Sequence, residues 1–251
     1  MPLELHMKNR YGLSRDIPEP VKRSVRQACG FGCVICGSSI VEYEHIEPEF
    51  SDAQSHDPAG ITLLCPQCHS KVTTGLWSKA RVKTAMLSPR CKQTGFANEV
   101  FDFDIGHPSI GFGGLTLKNC EIPVQVRDLP LFQIKGPEEP GAPFRLTAHF
   151  FNASGQPSLR ILDNEWFALL SNWDVEVSGG AITIRDAPGH ISLRLVAKPP
   201  HAIVIERLDM RVYGFHFTGN ADELAVAFPG GGEGVFTSCL ADNCDVGLML
   251  G

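Results

Sequence analysis

Two short stretches decide how the first part of this sequence is built: Cys33-Val34-Ile35-Cys36-Gly37 and Cys65-Pro66-Gln67-Cys68-His69, with 28 residues between Cys36 and Cys65. A C-x-x-C pair presents two thiols from one tight turn, and two such pairs can set four thiolates around one tetrahedral Zn(II). Cys33, Cys36, Cys65 and Cys68 are therefore expected to hold structural zinc. Four protein thiolates leave no open coordination position, so such an ion braces a segment too short for a core of its own and does no chemistry. The insert between the knuckles is longer than a simple ribbon needs. Something else is housed there.

The insert contains Val41-Glu42-Tyr43-Glu44-His45-Ile46-Glu47-Pro48, and His69 follows directly on the last cysteine. With its knuckles, this text resembles the HNH endonuclease family over residues 31–75, about a fifth of the chain. The resemblance implies a ββα-metal fold. It makes His45 the general base, and Glu44 and His69 the ligands of a catalytic divalent ion: Mg(II), Mn(II) or Zn(II). A neutral imidazole can accept a proton from water near neutral pH, and a divalent ion offsets charge on a leaving phosphate oxygen. Glu42, Glu47 and Glu49 read as solvated charges. The family's middle Asn falls on Gly60, which removes a hydrogen-bonding side chain that would orient the base. His56 and Asp57 lie close by in sequence and are candidates to compensate for that loss, the plainer reading being a polar surface loop. Thr73 shares a helix face with His69 and could at most hold a metal-bound water.

Outward from this module, Pro20 opens a helix that runs to Cys29 and stops at Gly30. It carries Lys22, Arg23 and Arg26, which with Lys71 are expected to contact phosphates. Ser78 caps a second helix reaching Leu87, broken by Ser88-Pro89. Residues 1–95 thus form the module with its flanking helices, and the Gly- and Pro-rich residues 96–114 read as a linker. Beyond it, residues 115–251 turn to short alternating runs divided by turns, such as Val175-Glu176-Val177, Gly179-Gly180, Ile182-Thr183-Ile184. That pattern predicts an all-β, sandwich- or barrel-like domain of eight to ten strands, with a short-strand β-helix also open. Trp166, Phe167 and Trp173 read as its core. The expected class is α+β.

Charge divides along the same line. The first 100 residues are net +2 and the remainder net -8, within a total of -6. An acidic second part argues against general nucleic-acid coating, which depends on phosphate neutralisation, and favours protein contact, self-association or small-ligand sensing there. Nine cysteines, an odd number, suit a reducing compartment. Residues 1–10 carry no apolar run of signal-peptide length, and no stretch reaches the roughly 20 apolar residues of a membrane span. A cytoplasmic protein is expected. The function that follows is cleavage of DNA, most readily double-stranded, as the effector of a prokaryotic defence or mobile-element system. Two alternatives stand beside it: an HNH scaffold that binds nucleic acid or protein without cutting, and an assembly or capsid-like protein in which the β part leads.

Overall fold

The computed structural model describes residues 8–251. Residues 1–7, on which most of the leader reading rests, lie outside the described residues. The chain divides into two compact units, residues 1–98 and 99–251. No helix among the described residues is long and apolar enough to cross a membrane.

In the first unit, α1 (Glu19–Cys29) begins one residue before the expected Pro20 and ends at Gly30, whose φ of 74° supplies the left-handed stop. Strands β1 (Glu42–His45) and β2 (Ile61–Leu64) pair antiparallel, with Glu42 opposite Leu64 and His45 opposite Ile61. A 3-10 turn, Pro58–Gly60, leads into β2, its first N–H groups capped by the Asp57 carboxylate at 3.0 Å from the Ala59 N–H. Helix α2 (Pro66–Thr73) starts at the second knuckle, with Cys65 itself as the N-cap. Helix α3 (Lys79–Leu87) is capped by Ser78 as its sequence predicts, and the five-residue α4 (Arg90–Thr94) follows Pro89. All four residues of β2 are buried. Ile61, Leu63 and Leu64 join Val25, Val34 and Val72 in a small apolar core. That core is modest for the length of chain it organises.

The stretch expected as linker is not structureless. Strand β3 (Phe96–Val100) spans the boundary between the units, and β4 (Ser109–Phe112) opens the second. Some of the glycines that suggested a linker instead allow close strand approach: a Cβ on Gly114 would collide with the backbone carbonyl oxygens of Phe236 and Asp222, although Gly106 has open space around it.

The second unit continues with β5 (Leu115–Val126), β6 (Leu129–Lys135), β7 (Arg145–Phe151), β8 (Pro157–Leu162) and β9 (Glu165–Leu169). These are followed by β10 (Asp174–Ser178), β11 (Ala181–Ala187), β12 (His190–Lys198) and β13 (Ala202–Val212). Last come β14 (Phe215–Asn220), β15 (Glu223–Ala227), β16 (Glu233–Thr237) and β17 (Cys239–Leu250). More strands are present than the eight to ten expected, because short hairpins follow one another, most of them closed by turns of two to four residues. They form one large curled sheet. Two long strands turn it: β13 pairs parallel to β4 through Ile203–Ile110 and Ile205–Phe112, then antiparallel to β14 beyond Leu208. β5 carries β17 parallel along its whole length. Inside, Phe112, Phe132 and Phe150 are fully buried and meet edge to face, with centroids 5.4 Å apart at each contact. Trp166 is buried as expected, while Phe167 and Trp173 are only half-buried. Adjacent residues on β9 point to opposite faces, so Trp166 and Phe167 could not both enter the core.

Candidate metal and nuclease site

The first knuckle folds on itself through backbone bonds from Gly37 N–H to the Cys33 carbonyl and from Cys33 N–H to the Ser38 carbonyl, at 2.9 and 2.8 Å. Gly37 sits at φ 90°, a conformation open to glycine at little cost. The second knuckle is the start of α2. Together they bring the sulfurs of Cys33, Cys36, Cys65 and Cys68 within 4.8 Å of one another, with Cys36 and Cys65 at 3.6 Å. Tetrahedral Zn–S bonds of about 2.3 Å put sulfurs ~3.8 Å apart, so the donor set fits one zinc ion. The thiols also compete for protons. A hydrogen bond from Cys36 pulls the Cys33 thiol down to about 5 and pushes that of Cys36 up, while burial raises Cys68 to about 12. A bound metal displaces those protons.

Between the knuckles, the period of two along β1 separates its side chains. Glu42 and Glu44 project toward α2, where His69 Nε2 lies 3.1 Å from Glu44 Oε2 and His69 Nδ1 lies 2.8 Å from Glu42 Oε2. Glu44 and His69 are thus brought together. Glu42, read from sequence as a solvated charge, stands at the same imidazole. Lys79 at the start of α3 reaches Glu44 at 3.9 Å and Glu49 at 2.9 Å, and Lys83 pairs with Glu47. The acids of the insert therefore face a row of cations on α3.

His45 occupies the other side of β1. It is 8% exposed, its ring stands edge-on to Phe50 at 5.4 Å, and its Nε2 faces His56 Nδ1 at 3.2 Å. At that distance one ring donates and the other accepts, so at least one is neutral. Burial first, then the charges of His56, Arg15 and Lys79, hold the His45 imidazole below the usual histidine range. The loop over His45 is tied down from the N-terminal side: the Asn9 amide donates to the carbonyls of Phe50 and Ala53, both at 2.6 Å. His56 Nε2 is buried with no hydrogen-bond partner among the described residues.

Gly60 answers to a steric demand. Its carbonyl accepts the N–H of Ile46 at 2.8 Å, and a Cβ at position 60 would fall 2.1 Å from the Glu47 carbonyl oxygen. The insert crosses too closely for any side chain there. Of the expected phosphate contacts, Arg26 has to be withdrawn: it is 4% exposed, and its guanidinium bonds Glu19 at 2.7 Å and the Tyr43 hydroxyl at 2.9 Å. The four-residue repeat that placed it beside Lys22 turned it inward instead. Lys22 lies 6.0 Å from the Tyr43 ring, and Lys71 lies over the Trp77 ring at 4.6 Å. Thr73 bonds the His69 carbonyl at 3.0 Å, within its own helix. Sequence reasoning missed Glu42 and Lys79, and it offered His56 only as one of two residues that could compensate for the absent Asn, without pairing it to His45. The alternation Glu42, Glu44 along a strand was a usable signal for the first.

Two cysteine knuckles on either side of a Glu-His strand, the second opening the helix that carries His69, define a zinc-compatible module. The family model for HNH endonuclease matches residues 33–75, a segment of the chain. Members of that family are generally nucleases that use a divalent metal, which points this segment to nuclease-type function and to nucleic acid as its partner. No curated protein and no solved structure matches the chain.

Proposed function

We propose that residues 1–95 form a metal-dependent ββα-metal endonuclease module that hydrolyses phosphodiester bonds of DNA, most readily double-stranded DNA. The observation that carries this reading is the approach of Glu44 on β1 to His69 on α2, 3.1 Å apart; His45, the next residue on β1, points to the opposite face, toward His56. Glu44 and His69 would hold a divalent ion, with Glu42 as a third donor in reach. That ion, Mg(II), Mn(II) or Zn(II), supplies charge neutralisation at the scissile phosphate when bound. His45 accepts a proton from water as the water oxygen attacks phosphorus and the bond to the leaving oxygen breaks. His56 stands where it can fix the His45 ring, a support that Gly60 does not give. Zinc on Cys33, Cys36, Cys65 and Cys68 has no part in the reaction and keeps β1 against α2.

The acidic unit that follows, read as a sandwich-like domain, would serve sensing, assembly or self-association. A nuclease joined to such a domain suits the effector of a prokaryotic defence or mobile-element system in the cytoplasm, by analogy of organisation. A second reading, a scaffold that binds nucleic acid or protein without cutting, draws on the burial of His45 and the lack of a side chain at position 60. Nicking of supercoiled plasmid with Mg(II) or Mn(II) separates them. Cleavage by the native protein, falling by about 10²–10⁴-fold in His45→Ala, supports the enzyme. Equal cutting by that variant removes His45 from the mechanism, and DNA binding with no cutting in either form supports the scaffold.

A further inference from the structure

The cations of the first unit are not equally available to a polyanion. Lys79 and Lys83, four residues apart on one face of α3, are turned to Glu44, Glu49 and Glu47, while Arg26 is buried on Glu19. Arg81 lies two residues from Lys79, about 200° around a helix, and shares its face with Ala85 and Ser88. That face borders a cleft of about 630 Å³ between α3, the first knuckle and α4, lined by Val34, Ile35, Arg81, Ala85, Arg90 and Gln93 among others. No Asp or Glu lines it. Among the described residues, no carboxylate pairs with either arginine.

The Arg81 guanidinium and the Arg90 backbone and stem are held in place by other means. Arg81 lies over the Trp77 ring at 4.3 Å from its centroid. Stacking engages the face of the guanidinium and leaves its in-plane N–H groups for an oxyanion, the geometry that suits bidentate phosphate contact. Arg90 is anchored to the knuckle: its N–H donates to the Val34 carbonyl at 3.0 Å, and its stem packs 3.4 Å from where a Cβ on Gly37 would stand. Between the two, Val34, Ile35 and Ala85 give an apolar floor. Two unneutralised arginines over an apolar floor, with no acid nearby, complement a nucleotide: phosphate to the guanidiniums, sugar or base to the floor.

The geometry points to this cleft as a nucleic-acid binding site, in which Arg81 and Arg90 grip a backbone phosphate on the side of α3 away from Glu44 and Glu49. The inference rests on the nuclease reading for its ligand. It places the grip on DNA flanking the scissile phosphate, so the cleft contributes to binding and not to the chemical step.

The test uses the full chain, zinc-loaded, and a labelled double-stranded DNA oligonucleotide without added divalent ion, with Kd measured by fluorescence anisotropy across a salt series. Arg81→Gln/Arg90→Gln should weaken binding by on the order of tenfold at low salt. It should also flatten the plot of log Kd against log salt by about one for each phosphate no longer neutralised. Lys83→Gln, which removes a cation already paired with Glu47, should leave both unchanged, and zinc content per chain reports that the variants fold. Should the double variant fail to retain zinc, Arg81→Gln alone carries the test, since Arg81 is held by the Trp77 ring and not by the knuckle backbone. In the nicking assay the same variants should raise KM with kcat retained. An unchanged salt slope in a folded variant overturns the cleft, and the nuclease reading survives if His45→Ala still abolishes cutting. Failure of the native protein to bind DNA or cut it overturns both.

Discussion

The two units of this chain solve the problem of stability by different means. Residues 99–251 surround a full apolar interior: Phe112, Phe132, Phe150 and Phe217 are each buried to 1% exposure or less, and alternation along the strands fills the space between them. Residues 8–98 have a smaller core to which β2 gives Ile61, Leu63 and Leu64, and the loops they organise carry polar and charged side chains. There the four sulfurs do what the phenylalanines do in the second unit. A fold held by a few strong bonds can expose its acids and imidazoles at close quarters. A fold held by many weak contacts has little room for them inside.

The sharpest way to break that contrast is to take the metal away. Chelation of zinc, or Cys65→Ser, should unfold the first unit and leave the second folded, because apparent zinc-binding energies of about 10–16 kcal/mol in small thiolate sites act as folding energy. Limited proteolysis with mass mapping reads the outcome: cuts confined to the first 98 residues are expected, and a first unit that stays resistant without metal would show that its core suffices. A smaller effect tests the crossing inside the metal-held unit. Gly60→Asn, which restores the family side chain, should destabilise that unit on the order of 1–3 kcal/mol and should not raise the nicking rate, since its Cβ meets the Glu47 carbonyl. Thermal unfolding beside the nicking assay decides this, and a faster, equally stable variant would mean the loop yields.

The smallest effect belongs to the second unit. His190 bonds Asp186 through Nδ1 at 2.5 Å and Asp209 through Nε2 at 3.0 Å, and donating from both nitrogens requires the imidazolium. The Asp186 hydrogen bond chiefly, with Asp209 adding to it, raises the His190 pKa. A folded value above the unfolded ~6.5 gives stability that is complete below that pH and lost as pH climbs through the folded value. The side chain is 42% exposed, so solvent screens the pair and the loss is slight. His149 acts oppositely: burial and then Arg160 lower its pKa, and its contribution fades as pH falls below ~6.5. In stability curves of the second unit against pH, Asp186→Asn should therefore reduce the alkaline decline, with Asp209 sustaining the remainder, and spare the acid one.

Much of the metal centre was legible before any fold was known, because ligand pairs sit three residues apart and local turns bring them together whatever the rest of the chain does. The strands of the second part announced themselves by alternation, as Val175-Glu176-Val177 and Ile182-Thr183-Ile184 pair across Gly179-Gly180 as their spacing predicts. Glycine misled twice. At residues 96–114 it was read as freedom, and at Gly60 as the loss of a partner; at Gly60, and at Gly114 within that stretch, it marks a place where another chain segment passes too close for a side chain.

Residue spacing thus determined the four-cysteine cluster, the caps of α1 and α3 and the all-β character of residues 115–251, since each depends on neighbours within a turn or a hairpin. Tertiary structure alone decided that Glu42 joins Glu44 at His69, that His45 meets His56, that Arg26 is buried and that Arg81 and Arg90 face one cleft. Those choices depend on how loops close across tens of residues and on which side of a helix the apolar core takes. No periodicity in the sequence encodes either.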